Sequence, residues 1–217
     1  MRIVVKDPVS GLTHCIGACL AIAGLVVLVT QAAMAGKPWH IISFSIFGAG
    51  MVLLYTASTL YHWIPVEGKG RFWLRKIDHM MIFVLIAATY TPVCLVALRG
   101  PWGWGLFIAI WLFALVGITL KLCWLSEPRW VSTAFYVAMG WLALVGIWPL
   151  TQALQPGALL WLFAGGGFYT VGALTYALKC PDPWPLRVGY HEIFHIFVMM
   201  GTFSHFWMMY RYISSLA

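Results

Sequence analysis

Seven apolar runs, each about 20 residues long or slightly longer, repeat along the chain and constrain its fold more than any other feature. The hydrocarbon core of a bilayer requires about 20 apolar residues for each helical span. Backbone groups in lipid must be hydrogen-bonded within their own segment, which favours helices over single strands. We therefore predict an all-α integral membrane protein, a bundle of seven transmembrane helices that forms one domain over residues 1–217. The predicted helices are 12–34, 41–63, 77–98, 102–124, 130–150, 157–178 and 189–213.

The charged residues support a membrane protein and argue against nucleic-acid binding. Only 9% of the residues are charged, whereas a soluble domain carries about 25%. The net charge is +7, but the basic residues stand in short gaps between apolar runs, not along one face with interleaved aromatic residues. They are typical of topology determinants and of contacts with lipid headgroups. Membrane lipids are the expected partners, and nucleic acid is not.

The distribution of lysine and arginine predicts the orientation of the bundle. Ten of the 13 basic residues lie at the amino terminus and in the second, fourth and sixth gaps, and three lie on the opposite side. Loops rich in lysine and arginine remain in the cytoplasm. We therefore predict a cytoplasmic amino terminus and a carboxyl terminus outside, in a bacterial inner membrane.

A few ionisable residues stand inside the apolar runs, where they are costly and usually functional. His62 ends the second run, Asp78 opens the third, and His191 and His195 open the seventh. In the predicted orientation, all four lie at the same cytoplasmic depth. The pair His191 and His195 is spaced by four residues and shares one helix face, as does the pair Ser58 and His62.

Three histidines at one depth predict a metal site. Three imidazoles and a water molecule are the ligands of a catalytic zinc centre. Zinc lowers the pKa of that water to about 7, and a carboxylate such as Asp78 takes its proton. The pattern therefore favours Zn2+ bound by His62, His191 and His195, although imidazole also suits copper, iron and nickel. The alternative is a set of unrelated histidines that pack between helices near the headgroups.

The segment from His191 to His195 also matches the H-E-x-x-H motif of metalloproteases, in which the glutamate, here Glu192, is the general base. An intramembrane protease would leave His62 and Asp78 without a special role. We also expect no second domain that would gate a peptide. A protease is therefore a secondary interpretation, and the role of Glu192 stays open.

Three further histidines lie in the apolar runs. His14 and His205 are expected to pack between helices, although His205 could instead line a cavity. His205 lies about 21 Å along the helix from His191, which is too far to bind the same metal ion. His79 follows Asp78 directly, and the pattern leaves its role undecided between support of the site and simple placement at the interface.

The order Ser58-x-x-x-His62, Asp78, His191-x-x-x-His195 resembles the three-part signature of the hemolysin III family. That family belongs with the progestin and adipoQ receptors and the alkaline ceramidases in one superfamily, and the likeness covers nearly the whole chain. It implies a zinc ion held by the three histidines, with Asp78 hydrogen-bonded to water on the metal and Ser58 nearby. It also implies a cavity among the helices that admits a lipid chain from the cytoplasm or the inner leaflet.

These features lead to the hypothesis of a zinc-dependent intramembrane hydrolase of lipid amides or esters. It would be similar to the ceramidases, would serve membrane lipid homeostasis, and would use Asp78 and Ser58 as catalytic residues. The main alternative is a receptor-like or regulatory membrane protein with a structural zinc site. Two others are a cation or proton pathway, for which mid-membrane ionisable residues are lacking, and the cytolytic activity in the family name, for which we find no amphipathic insertion segment.

Overall fold

Seven long helices follow the seven apolar runs in the computed structural model, which describes residues 6–124, 128–184 and 188–216. The described chain is almost entirely helical, so the predicted all-α bundle of seven helices is confirmed. The helices are α1 (Pro8–Met34), α2 (Pro38–Trp63), α3 (Gly68–Ala97), α4 (Pro101–Cys123), α5 (Arg129–Ala153), α6 (Pro156–Leu178) and α7 (Tyr190–Arg211).

Length and composition make the chain an integral membrane protein. Helices α1 to α6 are each long and apolar enough to cross a membrane. Helix α7 has 22 residues, which is also long enough. Three histidines and a glutamate lower its mean hydropathy, and two of those histidines, His191 and His195, belong to the candidate site.

Prolines begin four of the helices, α1, α2, α4 and α6. Proline is favoured there because the first helical turn leaves its N–H groups without a partner in the helix. Helix α3 begins at Gly68 rather than at the predicted residue 77. Its first turns carry four basic residues whose charge hides the helix from a hydropathy pattern: Lys69, Arg71, Arg75 and Lys76.

Consecutive helices pack against one another, and α7 returns to contact α1, which closes the bundle. Helix α3 is the most buried of helices α1 to α6: 72% of its apolar stretch is buried by the rest of the protein, compared with 28% for α1 and for α4. The outward faces of the other helices expose leucine, isoleucine and valine, as expected of surfaces in contact with lipid. This closure brings the start of α7 beside the start of α1 and the end of α2.

Helix α5 is interrupted near its middle, where a short 3-10 turn (Leu142–Gly146) joins two α-helical pieces. Backbone groups freed by such a break need partners inside a membrane. The Tyr90 hydroxyl from α3 provides them: it donates to the Gly140 carbonyl oxygen at 2.7 Å and accepts from the Ala143 N–H at 2.8 Å. The break is therefore stabilised by a neighbouring helix, and its residues Gly140, Ala143 and Leu144 line a cavity inside the bundle.

Candidate metal centre

Three histidines from two helices bring their ring nitrogens together at one end of the bundle. One ligand atom from each of His62, His191 and His195 lies within 4.8 Å of the others. The Nε2 atoms of His62 and His191 are 3.2 Å apart. Two nitrogens bound at about 2.0–2.1 Å to a tetrahedral ion are separated by about 3.3 Å. The spacing of the imidazoles therefore fits a shared zinc-sized cation.

Local helix geometry explains how these side chains meet. His191 and His195 are one turn apart at the start of α7 and face the same direction, and His62 lies in the last turn of α2. His62 and His195 are buried, with 3% and 1% of their surface exposed. A metal held here would tie two helices that are more than a hundred residues apart in sequence.

Hydrogen bonds fix which nitrogen of each buried imidazole faces the cluster. His62 Nδ1 lies 3.2 Å from the Asp7 carboxylate. His195 Nδ1 lies 3.2 Å from the Ser10 carbonyl oxygen and 3.1 Å from the Thr13 hydroxyl. These acceptors place the proton on Nδ1 and leave the Nε2 lone pair for a metal, as the outer partners of metal-bound histidines ordinarily do. Sequence reasoning missed Asp7, Ser10 and Thr13, which precede or begin α1 and form no metal-binding motif.

Asp7 contacts its neighbours through both its backbone and its side chain. Its backbone N–H donates to the His62 carbonyl oxygen at 3.0 Å, and its carboxylate pairs with the Lys6 ammonium at 2.9 Å. Partial burial raises the pKa of Asp7, but hydrogen bonds from Lys6 and His62 outweigh it and hold the pKa below its usual value. Asp7 is therefore an anion at neutral pH and can stabilise a protonated Nδ1 on His62.

Asp78 and Ser58 also meet in the structure. Asp78, on α3, is 9% exposed, and the Ser58 hydroxyl of α2 hydrogen-bonds its carboxylate. Both line the same cavity as His191 and His195. The residues predicted from separate runs thus lie together, and their roles as catalytic residues stay predictions.

Glu192, the glutamate of the H-E-x-x-H match, has both carboxylate oxygens engaged elsewhere. One accepts the Ser10 hydroxyl, and the other accepts the Gly189 N–H at 2.9 Å. The second contact caps the amino-terminal end of α7, where a negative charge is favoured. Glu192 therefore holds α1 against α7, which explains the residue without the general-base role of a metalloprotease.

An apolar cavity of about 140 Å³ extends from the histidines into the bundle. Its wall includes Cys94, Leu106 and Leu150, which lie near the opposite ends of α3, α4 and α5 from the metal site. The cavity therefore runs along most of the bundle. Its length and apolar lining suit a hydrocarbon chain, with the histidines at one end.

The three other histidines named from the sequence all line this cavity. His14 stacks on His195, with ring centroids 3.6 Å apart. Neither ring nitrogen of His14 has a hydrogen-bond partner of normal geometry among the described residues. His205 donates from Nε2 to the Leu162 carbonyl oxygen at 3.2 Å, and the His79 carbonyl oxygen accepts from Tyr136. His14 and His205 are thus packed in the bundle, as predicted, and also face its cavity.

Comparison with known proteins places the chain in a family. The family model described as "Haemolysin-III related" matches residues 3–206. The chain is 39% identical to the "Hemolysin-3 homolog" of Bacillus subtilis (strain 168) over 206 residues, which covers 95% of this chain and 93% of that protein. It is 36% identical to "Hemolysin-3" of Bacillus cereus over 212 residues, 98% and 94% of the two chains.

A more distant relative extends the likeness beyond bacteria. "Monocyte to macrophage differentiation factor" of Homo sapiens is 27% identical over 183 residues, which covers 81% of this chain and 72% of that protein. The family match and the two bacterial relatives span nearly the whole bundle, including the candidate metal centre. This integral membrane protein therefore belongs to the hemolysin III family.

Proposed function

We propose that this protein is a zinc-dependent intramembrane hydrolase of lipid amides or esters, with a role in membrane lipid homeostasis. One observation carries the proposal: His191 and His195, which cluster with His62, line the same apolar cavity as the buried Asp78, and that cavity runs along the bundle. A site for an ion and a carboxylate that open on one apolar cavity are what cleavage of an acyl lipid requires.

Each group at the site has its own role in the proposed hydrolysis. A zinc ion held by His62, His191 and His195 would supply a Lewis acid for the carbonyl oxygen and would lower the pKa of a bound water. Asp78 takes a proton from the attacking water and returns it to the leaving nitrogen or oxygen. The carbonyl carbon gains the water oxygen as its C–N or C–O bond breaks. Ser58 holds the Asp78 carboxylate in place, and the apolar wall binds the acyl chain.

Hydrolysis of a lipid panel tests this function. Zinc-loaded protein would be incubated with N-acylsphingosine, an N-acylethanolamine, a monoacylglycerol, phosphatidylcholine and phosphatidic acid, and released fatty acid would be measured by mass spectrometry. We expect release from at least one lipid and its loss in Asp78→Ala, with zinc content and melting temperature kept. Zinc-loaded protein that releases fatty acid from none of them would refute the hydrolase.

A receptor-like or regulatory protein with a structural metal is the second candidate. It is supported by the way the histidines join the end of α2 to the start of α7, since a metal there would stabilise the closure of the bundle. This function predicts that removal of the metal lowers the melting temperature strongly. It also predicts that Asp78→Ala leaves any signalling output unchanged, which separates it from the hydrolase.

A further inference from the structure

A second, smaller cavity of about 50 Å³ lies beside the first, at the end of the bundle that is predicted to be cytoplasmic. Basic residues from three helices line it: Arg75 of α3, Lys121 of α4 and Arg129 of α5. Tyr136 and Tyr176 belong to the walls of both cavities. The basic pocket is therefore adjacent to the cavity that leads to the histidines.

The charged residues that line this pocket are basic, and the acidic Asp78 beside it acts electrostatically on Lys121. Arg75 and Lys121 are close enough to repel each other, and both of them and Arg129 act electrostatically on His79. The wall adds the hydroxyls of Ser132 and Thr133, and none of the described residues that line the pocket is acidic. Three cations around one opening favour an anion that carries several oxygen atoms.

The volume of the pocket also fits such an anion. One water molecule needs about 10–15 Å³ in a cavity measured this way, so about 50 Å³ holds a group as large as a carboxylate or a phosphate. Basic pockets between transmembrane helices on the cytoplasmic side are suited to anionic lipid headgroups. Lys69 and Arg71 line neither cavity, whereas Arg75 and Arg129, which are exposed like them, line the smaller one. Basic residues that only orient the helices in the membrane need not be gathered around a pocket.

We propose that Arg75, Lys121 and Arg129 bind the anionic headgroup of a lipid whose acyl chain occupies the larger cavity. The headgroup would place its phosphate or carboxylate oxygens among the three cations, and the acyl chain would pass beside Tyr136 and Tyr176, which border both cavities. The substrate class is then an anionic acyl lipid. The conclusion that this lipid is a substrate rests on the proposed hydrolase, whereas the conclusion that the lipid binds does not.

Lipid binding to purified protein tests the pocket without reference to hydrolysis. Native mass spectrometry would compare retention of dioleoyl phosphatidic acid, dioleoyl phosphatidylcholine and inorganic phosphate. The test variant is Arg75→Gln/Arg129→Gln. The charge-matched control is Lys69→Gln/Arg71→Gln, which removes two cations from the same end of the bundle but from outside the pocket.

The expected result is a selective loss of affinity for the anionic lipid. A basic residue near a lipid headgroup contributes about 1 kcal/mol, so each removed arginine should weaken phosphatidic acid binding about fivefold. Phosphatidylcholine binding and the melting temperature should stay unchanged. The control should stay within about twofold of wild type, because its exposed cations line neither cavity and are screened by solvent and salt. Weakening of the control to the same degree, or displacement of the lipid by an equal concentration of inorganic phosphate, would overturn the proposal.

The test of the basic pocket and the test of the proposed hydrolase can fail independently of each other. An anionic lipid that binds through Arg75 and Arg129 but is never cleaved would refute the hydrolase and keep the pocket. Cleavage of neutral lipids at rates that do not change in Arg75→Gln/Arg129→Gln, with no preference for an anionic headgroup, would keep the hydrolase and refute the pocket.

Discussion

Replacement of Asp7 is the most informative perturbation of the metal centre, because this residue touches a metal ligand without being one. Asp7→Ala removes the acceptor that holds the His62 imidazole in the tautomer with Nε2 free. Loss of such an outer partner ordinarily costs 10- to 100-fold in metal affinity. We therefore expect weaker zinc binding by a bundle that remains folded.

The geometry sets the size of the effect. The Asp7 side chain is 39% exposed, and its distance of 3.2 Å from His62 Nδ1 is at the long end of hydrogen bonds. Both features place the loss at the lower limit, about tenfold in Kd, or about 1.4 kcal/mol. Asp7→Asn keeps an acceptor oxygen and loses only the charge, so its affinity should fall between those of wild type and Asp7→Ala.

Competition with a chromophoric chelator measures this change in purified protein. Glu67→Gln is the matched control, since Glu67 is an exposed carboxylate at the same predicted side of the membrane. The Co2+-substituted proteins provide a second readout, because a shifted absorption spectrum reports a change in His62 ligation that altered stability alone would not produce. Equal zinc affinity in wild type and Asp7→Ala, or an equal loss in Glu67→Gln, would refute the positioning role.

Three further predictions follow from the structure. The pKa of Asp7 is lowered from 3.8, so its contribution is present above that value and is lost only as pH falls through the lower folded value. The difference in zinc affinity between wild type and Asp7→Ala should thus be the same at pH 8 and pH 7, where protons do not yet compete with zinc for the imidazoles. Glu192→Ala should keep its zinc, as measured by elemental mass spectrometry. Its free energy of unfolding should fall by about 1 kcal/mol, because the cap of α7 is lost. A glutamate that served only as the general base of a metalloprotease would not contribute to stability. Tyr90→Phe should lower the melting temperature, at a cost of about 1–3 kcal/mol, because the Ala143 N–H loses its partner; an unchanged melting temperature would contradict this account of the break in α5.

The amino-acid sequence predicted the number of helices and the shared depth of the ionisable residues because both depend on one-dimensional patterns. Apolar length decides which segments cross a bilayer, and charge bias in the gaps decides which ends lie together. These two patterns are sufficient to group His62, Asp78 and His191 at one end of the bundle. The start of α3 was misplaced, since Lys69 and its basic neighbours are helical but not apolar.

Other parts of the site depend on tertiary contacts that no sequence pattern contains. Asp7 and Ser10 support His62 and His195 only because α7 closes onto α1, and neither has a spacing typical of metal sites. The break in α5 needs the Tyr90 hydroxyl from another helix. The capping role of Glu192 likewise became visible only with its two partners, whereas its pentapeptide alone indicated a protease.

Metal content of the purified protein tests the central claim most directly. Elemental mass spectrometry would be applied to detergent-purified wild type, to His62→Ala and His191→Ala, and to His40→Ala as a control, since His40 is buried at the other end of α2. We predict one zinc ion per chain in wild type and in the control, and loss of zinc in both test variants. A folded wild-type protein without metal after chelator-free purification, or zinc retained in His62→Ala and His191→Ala, would contradict a centre shared by α2 and α7.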